Sequence, residues 1–181
     1  PIRQVAALPY RIEADGKAQV MLITSREQRR WVVPKGNVIE GLSLHEAAAH
    51  EAFEEAGVSG IPCPTAIGEY RYLKRRRDGT TRNVTVAVFP LAYQKQAEEW
   101  PEQEERETRW FGLADASAAV DEPELKSLIT NFRVPALTPG LAERMLPTSQ
   151  STPREKLPMM RWFQNLMPQQ GRFFELFEAH A

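Results

Sequence analysis

Three carboxylates, Glu51, Glu54 and Glu55, stand at i, i+3 and i+4 within His50-Glu51-Ala52-Phe53-Glu54-Glu55-Ala56-Gly57-Val58. That spacing gathers helical side chains on one edge. Like charges so placed repel and weaken an isolated helix. A hard divalent cation such as Mg²⁺ removes the repulsion, because carboxylate oxygens bind it. Most Glu-rich helix faces are simply solvated, so the cluster alone does not separate a metal site from a wet surface.

The preceding segment separates them. Trp31-Val32-Val33-Pro34-Lys35-Gly36 reads as a short buried strand that ends in a Pro/Gly loop. Ser43-Leu44-His45-Glu46 fits a capping box, with Ser43 as N-cap and Glu46 at the third helical position. Gly57 suits the left-handed residue that closes a helix. The pattern predicts strand, glycine loop, capped helix of about fourteen residues and glycine stop.

From Gly36 to Val58 the chain resembles the Nudix box, G-x5-E-x7-R-E-U-x-E-E-x-G-U with U aliphatic. Gly36, Glu51, Glu54, Glu55, Gly57 and Val58 fall in register. Leu42 stands where the pattern has Glu, His50 where it has Arg, and Ala52 at the first aliphatic position. The resemblance implies that Glu51, Glu55 and the Gly36 carbonyl ligate Mg²⁺ or Mn²⁺, and that Glu54 orients or deprotonates the attacking water. It also implies an enzyme that hydrolyses a diphosphate linkage by positioning and charge neutralisation. The alternative is a Nudix-fold sensor that binds a nucleotide or polyphosphate without turnover, which Leu42 and His50 motivate.

Around the box the chain supplies a sheet. Residues 4–9 and 18–24 read as strands about the turn Glu13-Ala14-Asp15-Gly16, and 31–33 as a third. Residues 65–74 and 80–90 flank a hairpin turn with Asp78-Gly79 at its tip, and 108–111 is a last short strand. Pro123 opens an amphipathic helix over 123–133. A mixed α/β sheet between helices follows, as in the Nudix α/β/α sandwich, and the resemblance covers residues 2–134. Residues 135–158 read as a Pro/Ser/Thr-rich linker, and 159–181 as an amphipathic aromatic helix. Part of that last stretch, Trp162-Phe163 through Phe177-Glu178, resembles the opening of PhoU-like accessory proteins of phosphate transport. A homodimer mate or a PhoU-like partner is the interaction expected there.

Basic residues crowd two places: Arg26, Arg29 and Arg30 before Trp31, and Arg71, Lys74, Arg75, Arg76, Arg77 and Arg82 in the hairpin. Singly each reads as a solvated charge. Together, with Lys35, they suggest a basic rim suited to a small molecule carrying several phosphates. The layout is similar to the diphosphoinositol polyphosphate phosphohydrolase branch of the Nudix family. That resemblance implies substrate contacts at Ser25, Arg26, Arg82 and Arg106. It also implies substrates such as diphosphoinositol polyphosphates, diadenosine polyphosphates or polyphosphate. Nucleotide-directed chemistry on ADP-ribose, a nucleoside triphosphate or an RNA 5′ end is the rival within enzymes.

With 23 basic and 24 acidic residues among 181, net charge −1 gives no support to a general nucleic-acid or membrane binder. The single Cys63 excludes an internal disulfide, and the apolar runs stop short of transmembrane length. A cytoplasmic setting is the expectation.

Overall fold

The structure, a computed structural model, describes residues 2–136. The expected linker and aromatic helix, with any homodimer or PhoU-like contact through them, lie outside the described residues.

Two apolar strands form the spine. β1 (Ile2–Ile12) and β7 (Thr81–Gln96) run parallel from Ile2↔Val84 to Tyr10↔Ala92. Seven consecutive residues of β1, Gln4 to Tyr10, are buried, the near-continuous burial expected of a strand covered on both faces. Every other pairing is antiparallel. β2 (Ala18–Thr24) binds β1, β3 (Trp31–Val32) and β8 (Thr108–Gly112), while β5 (Val58–Pro62) and β6 (Gly68–Arg75) bind β7. The sheet is therefore mixed, as expected.

One edge of β1 is shared. Gln4 to Ala6 pair with β4 (Lys35–Asn37), Ala7 N donates to Pro34 O, and Tyr10 to Ile12 pair with β2. The switch falls at Leu8-Pro9, where Pro9 has no N–H to donate. β2 and β4 thus diverge from one strand, and the box loop leaves from the fork.

Helix α1 (Leu44–Ala56) packs on β1, β4, β5 and β7, burying Ala47, Ala48, Ala52, Phe53 and Ala56. The opposite face of the sheet carries α2 (Leu113–Ala119) and α3 (Pro123–Thr130). There Ala6, Leu8, Tyr10, Val84, Val86 and Val88 join Leu125, Ile129 and Phe132 in one core cluster. Layers of helix, sheet and helix result. Four elements were not anticipated: β4, β5, α2 and a 3-10 turn over Gln103–Glu105. The expected strand over 80–90 also continues past Pro90 to Gln96.

Candidate active site

The box helix begins and ends as its residues require. Ser43 N donates to Glu46 Oε2 at 2.9 Å while Glu46 N donates to Ser43 Oγ at 3.4 Å, the two halves of a capping box. Gly57 closes the helix at φ 68°, and its N–H reaches the Ala52 and Phe53 carbonyls. Between them thirteen residues carry Glu51, Glu54 and Glu55 on the last two turns.

Glu51 lies against Gly36, and a Cβ placed there would overlap its carboxyl group. Gly36 is paired with Val5 in the sheet, so the strand holds its backbone still beside that carboxylate. Burial, then the charges of Glu55, Glu54 and Glu102, push Glu51 up to about 7. Glu55 also reaches about 7 through burial, against the lowering pull of Arg106 and Lys35. Its side chain is 9% exposed. Lys35 N donates to Glu55 Oε2 at 3.0 Å and Arg106 Nη2 to Glu55 Oε1 at 2.7 Å.

Glu54 is raised by burial and next by Glu102. Its Oε1 is buried without a hydrogen-bond partner among the described residues. His50 Nε2 stands 3.5 Å from that oxygen, and burial lowers the His50 pKa, which disfavours the charged imidazolium. His50 therefore does not supply the permanent charge that Arg would at its position.

A divalent cation fits this donor set. A buried carboxylate and a partly buried one that resist ionising side by side, the second with a backbone closed in against it, are what a hard cation relieves. Among the described residues no three His, Cys, Asp or Glu side chains form a cage. The expected set is smaller, two carboxylates and one backbone carbonyl. Mg²⁺ is bound in just that way, through one or two carboxylates plus substrate phosphates and water.

The expected substrate residues divide into two groups. Ser25 and Arg26 sit in the turn after β2, where Ser25 Oγ accepts from Arg30 N at 3.1 Å and Arg26 lies 3.4 Å from Glu105. Lys35 projects onto the α3 side of the sheet, with Nζ 5.3 Å from the Tyr72 ring centroid, and burial lowers its pKa. Arg106 is buried against Glu55. Arg82 stands apart: it is six residues along β7 from Val88, which shares a row with Ala6 and Lys35. That places it roughly 20 Å down the strand. It faces Lys74 across the hairpin, beside an open hollow lined by Ile2, Thr81 and Asn83.

Glu102 and Trp100 were not singled out as site residues. Glu102 binds Arg106, lies 3.8 Å from Arg26 and raises both Glu51 and Glu54. Its spacing to Arg106, i to i+4, was the available signal.

The NUDIX domain model matches residues 2–132. The chain belongs to the Nudix family. Among curated relatives, chloroplastic Nudix hydrolase 21 of Arabidopsis thaliana is 34% identical over 115 residues, 62% of this chain and 56% of the relative. Diphosphoinositol polyphosphate phosphohydrolase 3-alpha of Mus musculus is more distant, 28% identical over 116 residues, 63% of this chain and 66% of that protein. This Nudix chain thus spans little more than half of the first of these and under two thirds of the second. Its fold matches a C. elegans Ap4A hydrolase binary complex at TM-score 0.52 and 23% identity, over 72% of this chain and 93% of that one. No helix among the described residues is long and apolar enough to cross a membrane.

Proposed function

We propose that this Nudix chain is a Mg²⁺- or Mn²⁺-dependent pyrophosphohydrolase that cleaves a diphosphate linkage in a metabolite carrying several phosphates. The observation that carries the reading is Glu51 closed against Gly36, with Glu55 fixed one turn later on the same helix. Glu51, Glu55 and the Gly36 carbonyl would hold the cation. When bound, the cation neutralises diphosphate oxygens and acidifies water.

The chain's own residues do the rest. Glu54 takes the proton of the attacking water at Oε1, the buried oxygen without a hydrogen bond. Its raised pKa makes it a stronger base than a solvated Glu. Ser25, Arg26 and Lys35 would contact substrate phosphates, and Arg82 would receive one remote from the scissile bond. Relatives named as a diphosphoinositol polyphosphate phosphohydrolase and an Ap4A hydrolase support a substrate of that class, a diphosphoinositol polyphosphate or a diadenosine polyphosphate. A lone cysteine suits a reducing compartment, and the cytosol is the setting proposed.

The test is release of phosphate or nucleotide in Mg²⁺ from diadenosine polyphosphates, diphosphoinositol phosphates, ADP-ribose, nucleoside triphosphates and polyphosphate. Glu54→Gln should lower the rate by about 10²- to 10⁴-fold, the usual weight of a general base. Activity that survives both Glu54→Gln and Glu55→Gln overturns the proposal. Binding of these ligands without turnover by the native chain would establish the sensor instead.

A further inference from the structure

The segment between β7 and β8 grips the C-terminal end of α1 at several points. Gln96 Nε2 donates to Ala56 O at 2.9 Å, Ala97 N to Gly57 O at 2.9 Å, and Glu102 N to Glu54 O at 3.1 Å. The Trp100 indole covers Gly57 so closely that a Cβ there would overlap it. Carbonyls at a helix end have no intrahelical donor, and here a neighbouring strap provides one to Glu54 and Ala56.

Arg106 is the strap's last hold, its side chain 8% exposed. All three guanidinium nitrogens are engaged: Nη1 donates to Thr24 O at 3.0 Å, Nε to the Glu102 carboxylate, and Nη2 to Glu55 Oε1 at 2.7 Å. Thr24 ends β2 and Lys35, the donor to the other Glu55 oxygen, begins β4. Glu55 is thus fixed from both arms of the sheet fork.

We infer that Arg106 is a positioning residue for Glu55, holding its carboxylate oriented in advance of a cation, rather than a contact to substrate phosphate. The inference rests on the proposed role of Glu55 as a cation ligand. Each Glu55 oxygen gives one lone pair to the protein and keeps another for a cation. The rotamer is chosen before binding, so binding costs little further side-chain freedom. A swing of Arg106 toward substrate would leave the buried Glu55 carboxylate without its ion-pair partner and cost Glu102 its nearer one, an unfavourable change. Lysine cannot replace the fork, because an ammonium is a point charge and cannot bridge three acceptors in one plane.

The experiment measures Mn²⁺ binding by electron paramagnetic resonance on the full chain without substrate, for the native protein, Arg106→Lys and Arg106→Gln. Thermal unfolding in chelator reports whether each variant folds. The Mn²⁺ dissociation constant should rise about 10- to 100-fold in Arg106→Gln and less in Arg106→Lys, the usual scale for losing a residue behind a ligand. At saturating Mn²⁺, KM should stay near native whatever the phosphate number of the substrate. If Arg106→Gln does not fold, Arg106→Lys decides by the same two readouts. Unchanged or tighter Mn²⁺ binding, with KM rising as phosphates are added, overturns the inference and makes Arg106 a substrate contact. A native chain that binds no Mn²⁺ overturns this and the proposed function together. Native binding with unaffected variants overturns this one alone.

Discussion

Glu51 occupies the space that any side chain at residue 36 would need. Gly36→Ala should therefore push the carboxylate away from the strand while leaving the helix cap untouched. We expect a loss of activity on the order of 10²-fold, the scale of an ångström's misplacement in a site. Native activity in Gly36→Ala would mean that Glu51 works from another place. Protonation gives a second reading of the same residues. Without a cation Glu51 and Glu55 sit at about 7, above their ordinary 4.5. The folded chain then binds extra protons between about 4.5 and 7, so these groups lose stability for the fold as pH rises through that window. In chelator the thermal midpoint should fall across it. Mg²⁺ or Mn²⁺ should restore the midpoint more at pH 8 than at pH 5, because a cation binds the ionised carboxylates. An equal cation effect at both values would detach these two residues from the cation. The trio and Gly36 were legible because helical spacing and a glycine are local signals. Glu102 was not, because its weight comes from α1 residues some fifty positions earlier in the chain.

At the scale of elements, α1 is the clearest case of local specification. Ser43 and Glu46 state its start and Gly57 its end, and the helix runs thirteen residues between them. Ser43→Ala removes the oxygen that meets Glu46 N, and with it half of the capping box. Urea unfolding should show a loss of about 1 kcal/mol. No loss at all would mean that the strap at the other end alone sets the helix. The strands that escaped the sequence are those whose identity is given by a partner. Lys35–Asn37 is three largely polar residues and becomes β4 only by pairing with Gln4 to Ala6. Val58–Pro62 contains Gly60, where the register shifts against β7 and a Cβ would strike the Ala92 carbonyl. The expected strand stopped at residue 90, a proline, the residue type least suited to a central strand. The chain continues regardless, with Pro90 opposite Leu8 and its carbonyl accepting from Cys63 N. Helix α2 has seven residues and no side-chain cap, so no local start signal existed.

Over the whole described domain the near-neutral charge hides an asymmetry. Arg3, Arg11, Lys17, Arg26, Arg30, Arg106 and Arg109 each have a carboxylate partner. Lys74, Arg75, Arg76, Arg77 and Arg82 pair with none among the described residues, as do the scattered Arg29, Lys126 and Arg133, but these five cluster in the β6–β7 hairpin. Lys74 and Arg82 stand directly opposite each other on the sheet. Like charges in that register destabilise a strand pair, so the fold gains nothing from them. A polyanion placed between them would reverse the sign of that interaction. Arg82 lies roughly 20 Å from the row of Lys35, which suits a phosphate well removed from the scissile one. Lys74→Ala and Arg82→Ala should therefore leave the thermal midpoint unchanged or raise it slightly. The two variants should also raise KM more for a diphosphoinositol phosphate or a diadenosine polyphosphate than for ADP-ribose, with kcat little altered. The difference should shrink as salt is added, because exposed charges are screened. An equal KM change for all three substrates, or a lowered midpoint, would return the hairpin to the status of a solvated surface.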